Sequence, residues 1–150
     1  MDMYPPSQGA GLSLIPVHRL VDRASNDHVY TVDPNEANVL SQQGTHTYDG
    51  PVFQILGNPL PGALPLYRFA LADGRHFLDV QNPSPVDPSA RFEGALGFVL
   101  GQAAAGFVPL YLWIHPQSGL FFYTIRPDGE AAGQLGYVSR GAAVFVAPAA

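Results

Sequence analysis

The chain has 150 residues, 47% of them hydrophobic and 11% aromatic, with a net charge of −5 and only 13% charged residues. It holds no lysine and no cysteine, and its seven basic residues are arginines scattered from Arg19 to Arg140. This composition excludes the dense basic footprint that nucleic-acid binding needs, a polybasic membrane-surface patch, disulfides and thiolate metal sites.

Residues 1–15 read as an N-terminal arm without the basic start and apolar stretch of a signal peptide, and no apolar run reaches transmembrane length. Asn82 is followed by proline, so no glycosylation sequon exists. The expectation is a cytoplasmic or non-classically secreted protein without membrane insertion. An excised module of a larger secreted protein would carry the same marks. Sixteen glycines, 15 prolines and many rings predict an all-β chain of short strands.

From Pro16 a phrase of proline, apolar or aromatic residues, turn and returning strand occurs three times, beginning Pro16-Val17-His18-Arg19, Pro65-Leu66-Tyr67-Arg68 and Pro109-Leu110-Tyr111-Leu112. The starts lie 49 and then 44 residues apart, which predicts one domain over 16–150 built of units 16–64, 65–108 and 109–150. In unit one, Val17–Val21 and His28–Val32 form a hairpin. A helix follows, capped by Asp33, with Pro34 at its first position, Glu36 three residues after the cap and Gly44 beyond its end. Strands at His46–Tyr48 and Val52–Leu56 flank Asp49-Gly50.

Unit two repeats the hairpin over Leu66–Leu71 and Arg75–Val80, but Asn82–Pro88, with its three prolines, replaces the helix by a loop. It closes on Arg91-Phe92-Glu93-Gly94 and Phe98-Val99-Leu100. Unit three pairs Leu110–Ile114 with Phe121–Thr124, passes a polar, small-residue connection over Arg126–Gly136, and ends on Tyr137-Val138 and Val144-Phe145-Val146. Four strands in each of three units predict a β-trefoil of twelve short strands with pseudo-threefold symmetry and one short helix in the first unit.

The unit pattern resembles a tandem-repeat family of uncharacterised function, found beside bacterial secreted hydrolases and in some fungal proteins. Its units read Leu-Tyr-Arg, His-Phe-Tyr-Thr, Glu-x-x-x-Leu-x-x-x-Gly and Tyr-Glu-Gly. Here they appear as Val17-His18-Arg19, His28-Val29-Tyr30-Thr31, Glu36…Leu40…Gly44 and Tyr48-Asp49-Gly50; as Leu66-Tyr67-Arg68, His76-Phe77 and Phe92-Glu93-Gly94; and as Leu110-Tyr111 and Phe122-Tyr123-Thr124. In unit three Phe121 stands at the histidine position and Arg140 at the acidic one. The resemblance implies a trefoil carbohydrate-binding module of the fungal lectin type.

A sugar site needs a carboxylate or amide for paired hydroxyls, a donor, and a ring face for the apolar side of the sugar. Unit one supplies Asn26, Asp27, His28, Tyr48 and Asp49; unit two supplies Asp73, Arg75, His76, Phe92 and Glu93; unit three has only Gln117, Ser118, Phe121, Tyr137 and Arg140. Two competent sites and a weak or lost third are expected. A plainer reading stands beside this one. His28 and His76 bond turn carbonyls, Asp27 and Asp73 shape turns, Asp49 and Glu93 shape turns or pair with Arg19 and Arg68, and Tyr30, Phe77, Tyr123 and Trp113 are core.

No nucleophile elbow, zinc-protease motif or phosphate loop occurs, and the five histidines lack metal-ligand spacing. The resemblance implies reversible binding of glycans or glycoproteins of galactose type; the missing motifs add an expectation of no catalysis, cofactor or metal, and a homodimer is a route to avidity. Two other classes compete with this one. A trefoil protease inhibitor would act through Asn58–Gly62 or Asn82–Pro88, and a structural or adhesive module would multimerise through exposed rings.

Overall fold

The computed structural model describes residues 12–150. Unit one comprises β1 (Leu14–Asp22), β2 (His28–Thr31), α1 (Pro34–Gln42) and β3 (His46–Leu56). Unit two comprises β4 (Ala63–Ala70), β5 (His76–Asp79) and β6 (Arg91–Leu100). Unit three comprises β7 (Val108–Ile114), β8 (Phe121–Thr124), a 3-10 helix (Gly129–Leu135) and β9 (Val138–Val146). The first strand thus begins inside the expected arm, whose residues 1–11 lie outside the described residues. No helix among the described residues is long and apolar enough to cross a membrane.

The chain is all-β with nine strands among the described residues, not twelve. In each unit the last two expected strands are one long strand bent at a bulge. Arg19 faces Gly50 and Leu20 faces Tyr48, leaving Asp49 as the extra residue; Arg68 faces Gly94 and Phe69 faces Phe92, leaving Glu93. Unit three slips likewise between Tyr111 and Trp113, opposite Arg140 and Gly141. Gly50, Gly94 and Gly141 take φ of 99°, 123° and 80°, the left-handed region open to glycine without strain. A bulge bends a strand and re-aims its extra side chain without ending the ladder, which explains why a Gly-marked turn reads as a gap between two strands.

Within each unit the second strand and the long last strand flank the first. Single pairings then join the units: Leu56 with Phe98, Leu100 with Phe145, and Gln54 with Ala147. Helix α1 forms where its signals predict, with the Asp33 carboxylate accepting from the Asn35 amide at 2.9 Å and Pro34 in the first turn.

The core uses equivalent positions from all three units. Val17, Leu66 and Leu110, each following its unit's proline, are all buried. Tyr30 and Tyr123, two residues beyond His28 and Phe121, are buried with their rings edge to face at 5.4 Å. The Tyr30 hydroxyl donates to the Tyr123 carbonyl (2.9 Å) and accepts from its amide (2.8 Å). The Tyr123 hydroxyl does the same at Leu78, accepting at 2.9 Å and donating at 3.2 Å. Each phenol thereby closes a strand of a neighbouring unit, and burial holds both hydroxyls protonated well above the usual tyrosine range. Tyr123→Phe leaves a buried N–H and C=O of Leu78 without this partner, so it is expected to destabilise the fold by about 1–3 kcal/mol in chemical denaturation. Tyr48→Phe, at an exposed hydroxyl, should stay within about 0.5 kcal/mol.

Candidate functional site

Two arginines organise the joints between units. Arg19 is buried; its Nε donates to Asp49 at 2.8 Å and its two terminal nitrogens grip Glu130 at 2.8 and 3.2 Å. It also reaches the Tyr123 carbonyl at 3.3 Å and lies 4.7 Å from the centre of the Phe122 ring. Arg68 repeats the pattern one unit along, with Nε to Glu93 at 2.9 Å, a fork onto Glu36 at 2.8 and 2.9 Å, and the Tyr30 carbonyl at 2.9 Å. The bulge residue supplies one carboxylate and the helix of the preceding unit supplies the other. At the third joint, between units two and three, Leu112 replaces the arginine, Arg140 the bulge acid, and Asn82–Pro88 the helix acid.

The hairpin tips carry a second set of contacts. At the joint of units one and two, His76 Nδ1 lies 2.6 Å from Asp27, the Asp27 carboxylate accepts the His76 amide at 2.9 Å, and His76 Nε2 lies 3.3 Å from Glu93. Burial opposes charge on His76, but hydrogen bonds to Asp27 and Glu93 outweigh it and raise its pKa to about 9. In return the His76 hydrogen bond lowers Glu93 to about 2. Between units two and three, Arg75 donates to the Gly119 carbonyl at 2.6 Å and to Asp73 at 2.8 Å.

His28, the counterpart of His76, has no carboxylate at hydrogen-bond distance. Leu120 of unit three stands where Asp27 stands in unit one, each immediately before the second strand of its hairpin. His28 Nδ1 is 3.1 Å from the Phe121 carbonyl, so Nδ1 carries the proton and Nε2 is a free acceptor. Burial, then the nearby Arg19 charge, lower its pKa to about 4. His28 is 9% exposed, and Nε2 has no protein partner among the described residues yet is not sealed from solvent.

That nitrogen belongs to a residue lining an open cleft of about 580 Å³ between units one and three. Unit one contributes His28, Asn26, Ser25 and Val21; unit three contributes His115, Ser118, Leu120 and Phe122 from its hairpin, and Glu130, Leu135 and Tyr137 from the segment around its 3-10 helix. Four rings cluster there: His28 lies 4.9 Å from Phe122, Phe122 6.0 Å from Tyr137, and Tyr137 stands edge-on to His115 at 5.3 Å. The wall is strained. Glu130 and Ala131 both have positive φ, 55° and 68°, inside the 3-10 helix, a conformation that costs non-glycine residues energy. It is held from one side by Arg19 and Thr124 on the Glu130 carboxylate and backed by the Trp113 ring, which fills the space beside Gly129.

Of the residues read as sugar-binding, Asn26 and His28 line the cleft, as do Ser118 and Tyr137 from the weaker set read in unit three. Asp27, Asp49, His76 and Glu93 are held in the ion-pair networks. Asp73 and Arg75 pair with each other. Tyr48 is exposed and lies 2.8 Å from His18 Nδ1 through its hydroxyl, in a small separate hollow against α1; Phe92 is exposed and packs edge-on to Tyr67 and Phe69. The candidate site thus lies across two units, so a search within each unit pairs the wrong partners. The lining from His115, Phe122, Glu130 and Leu135 was missed. The 3-10 helix was missed too, because its glycines and alanines give no periodic signal, although Asp128-x-Glu130 echoes the capped acid of α1. Trp113 is only partly buried, with its Nε1 buried and unpartnered. Among the described residues no three metal-ligating side chains converge.

The two histidines make stability depend on pH in opposite senses. An unfolded histidine titrates near 6.5, and His28 folded near 4, so the unfolded chain binds more protons between these values and stability rises with pH there. His76 folded titrates near 9, so the folded chain holds the extra proton between 6.5 and 9 and stability falls with pH there. The melting temperature should peak near pH 6.5, with His76→Gln flattening the alkaline limb and His28→Gln the acid one in thermal scans from pH 4 to 9. Gly129→Ala would place a methyl against the Trp113 ring at φ 72°, and should lower the melting temperature and change Trp113 fluorescence together.

No curated protein and no solved structure matches the chain. One family does match, over residues 3–83, which takes in all of unit one and the hairpin of unit two. That match covers more than half of the sequence: the chain belongs to the family described as Domain of unknown function (DUF5648).

Proposed function

We propose that this chain is a β-trefoil that binds a glycan reversibly at the cleft between units one and three, as a lectin rather than an enzyme. Three equivalent hairpins, three long bulged strands and a cross-pairing between each two units support the trefoil reading. The likeness of the unit motifs to trefoil carbohydrate-binding modules points the same way.

One observation carries the binding site. His28 is buried, its Nε2 has no protein partner among the described residues, and its ring lies 4.9 Å from Phe122 and 6.3 Å from Tyr137, which in turn stands edge-on to His115. A sugar ring has the matching character, with C–H groups for an aromatic wall and hydroxyls for a fixed acceptor. The counterpart in unit two lacks this opening, since Asp27 and Glu93 occupy both nitrogens of His76. One site per chain follows, in place of two or three, and avidity would need several chains.

A glycan array, headed by galactose-type sugars, tests the reading; enrichment of none, with folded protein, rejects it. Protease inhibition in its place would favour loop Asn82–Pro88 as the working surface. His28→Ala should weaken glycan binding about tenfold or more, the equivalent of one hydrogen bond of about 1.4 kcal/mol, and should also lower the melting temperature, because it removes a buried ring and leaves the Phe121 carbonyl without its partner. His76→Ala should lower the melting temperature and spare affinity, so the affinity of the two folded variants separates a site from a structural role.

A further inference from the structure

We infer that the cleft selects an uncharged sugar ring and turns away its carboxylated counterparts; this rests on the glycan reading above. A site for uronic or sialic acids needs a cation or a row of free donors to receive the carboxylate. Arg19 is the one arginine against the cleft wall, and it is buried with four of its five N–H bonds already taken. Its nitrogens serve Asp49, both oxygens of Glu130 and the Tyr123 carbonyl, and its face rests on Phe122. Arg23 and Arg126, in segments that border the cleft, are also engaged, Arg23 by Thr47 and the Gly44 carbonyl and Arg126 by Asp128.

Two fixed polar groups of the cleft are instead acceptors. His28 Nε2 is one. Glu130 is another: Arg19 and Thr124 take up Oε2 and Arg19 takes one position on Oε1, leaving one of the roughly four acceptor positions of a carboxylate open. Both need a ligand that donates, as hydroxyls do. A carboxylate brings no proton to either and meets the Glu130 charge in a partly desolvated wall. His28 stays uncharged above its pKa of about 4, so at neutral pH it supplies no compensating cation. The remaining polar lining is Ser25, Asn26, Ser118 and Tyr137, which suit hydroxyls of either donor sense, and His115, whose Nδ1 accepts the Gln117 and Ser118 amides so that its Nε2 offers a single N–H donor rather than a row of them.

The test uses the whole chain and three probes of one shape: methyl galactoside, methyl galacturonoside, and the methyl ester of the latter, titrated calorimetrically at pH 7. The galactoside and the uncharged ester should bind with similar affinity, and the galacturonoside about tenfold weaker or worse. Repeating the series with glucose and glucuronic acid covers a different hydroxyl arrangement. Glu130→Gln should narrow the gap between acid and ester; the ester itself keeps the test independent of whether that variant folds. Equal or tighter binding of the acids overturns the inference and leaves the glycan reading standing. Binding of none of these sugars or of any array glycan overturns both.

Discussion

A guanidinium taken out of water needs partners for its N–H bonds, and the rest of this structure is arranged around two that have four of their five answered. Arg19 and Arg68 are each met by two carboxylates and a carbonyl. Neither set of partners lies within one unit: the bulge acid comes from the long last strand of the arginine's own unit, and the helix acid from a neighbouring unit, unit three for Arg19 and unit one for Arg68. The arginine therefore reports whether two units are docked. Planar bidentate geometry makes it exacting about that docking, and lysine would not substitute. Breaking such a buried pair from one side strands a charge, a heavier penalty than the pair's net stabilisation.

The same logic divides two histidines that a sequence comparison treats as equals. His76 received Asp27 and Glu93 and became part of a chain of charges running Glu36, Arg68, Glu93, His76, Asp27. His28 received Leu120 and Phe122 as neighbours and stays neutral. One position is used up by structure and the other left open. Environment rather than identity separates a structural histidine from a candidate ligand-binding one.

Much of the architecture was legible because it rests on local rules. Asp33-Pro34 with Glu36 announces α1, the Ser-Asn-Asp and Asp-Gly tips announce hairpins, and the prolines of Asn82–Pro88 rule out a second helix in that place. Strand continuity was not legible, since Gly50, Gly94 and Gly141 mark turns and bulges alike. Pairing of Asp49 with Arg19 and of Glu93 with Arg68 was one of three readings open from sequence, beside turn formation and sugar binding; both residues pair and form the bulge at once. The site was half legible. Asn26 and His28 in unit one and Ser118 and Tyr137 in unit three were each named, but as parts of separate sites, and the two sets become neighbours only when the third unit docks on the first. Glu130 in particular owes its position to a left-handed backbone that no propensity rule anticipates.

The missing third lock has a mechanical consequence. Units three, one and two are joined in that order by arginine clamps, whereas units two and three meet through tyrosine hydrogen bonds, an arginine-to-carbonyl contact and apolar packing, with no side-chain ion pair among the described residues. The ring of units therefore has a seam. Partial opening of the native state is cheapest where the fewest strong contacts must be broken, so unit two can swing from unit three while the unit-three and unit-one walls of the cleft stay clamped together. Breathing of the fold and integrity of the cleft are thus assigned to different joints.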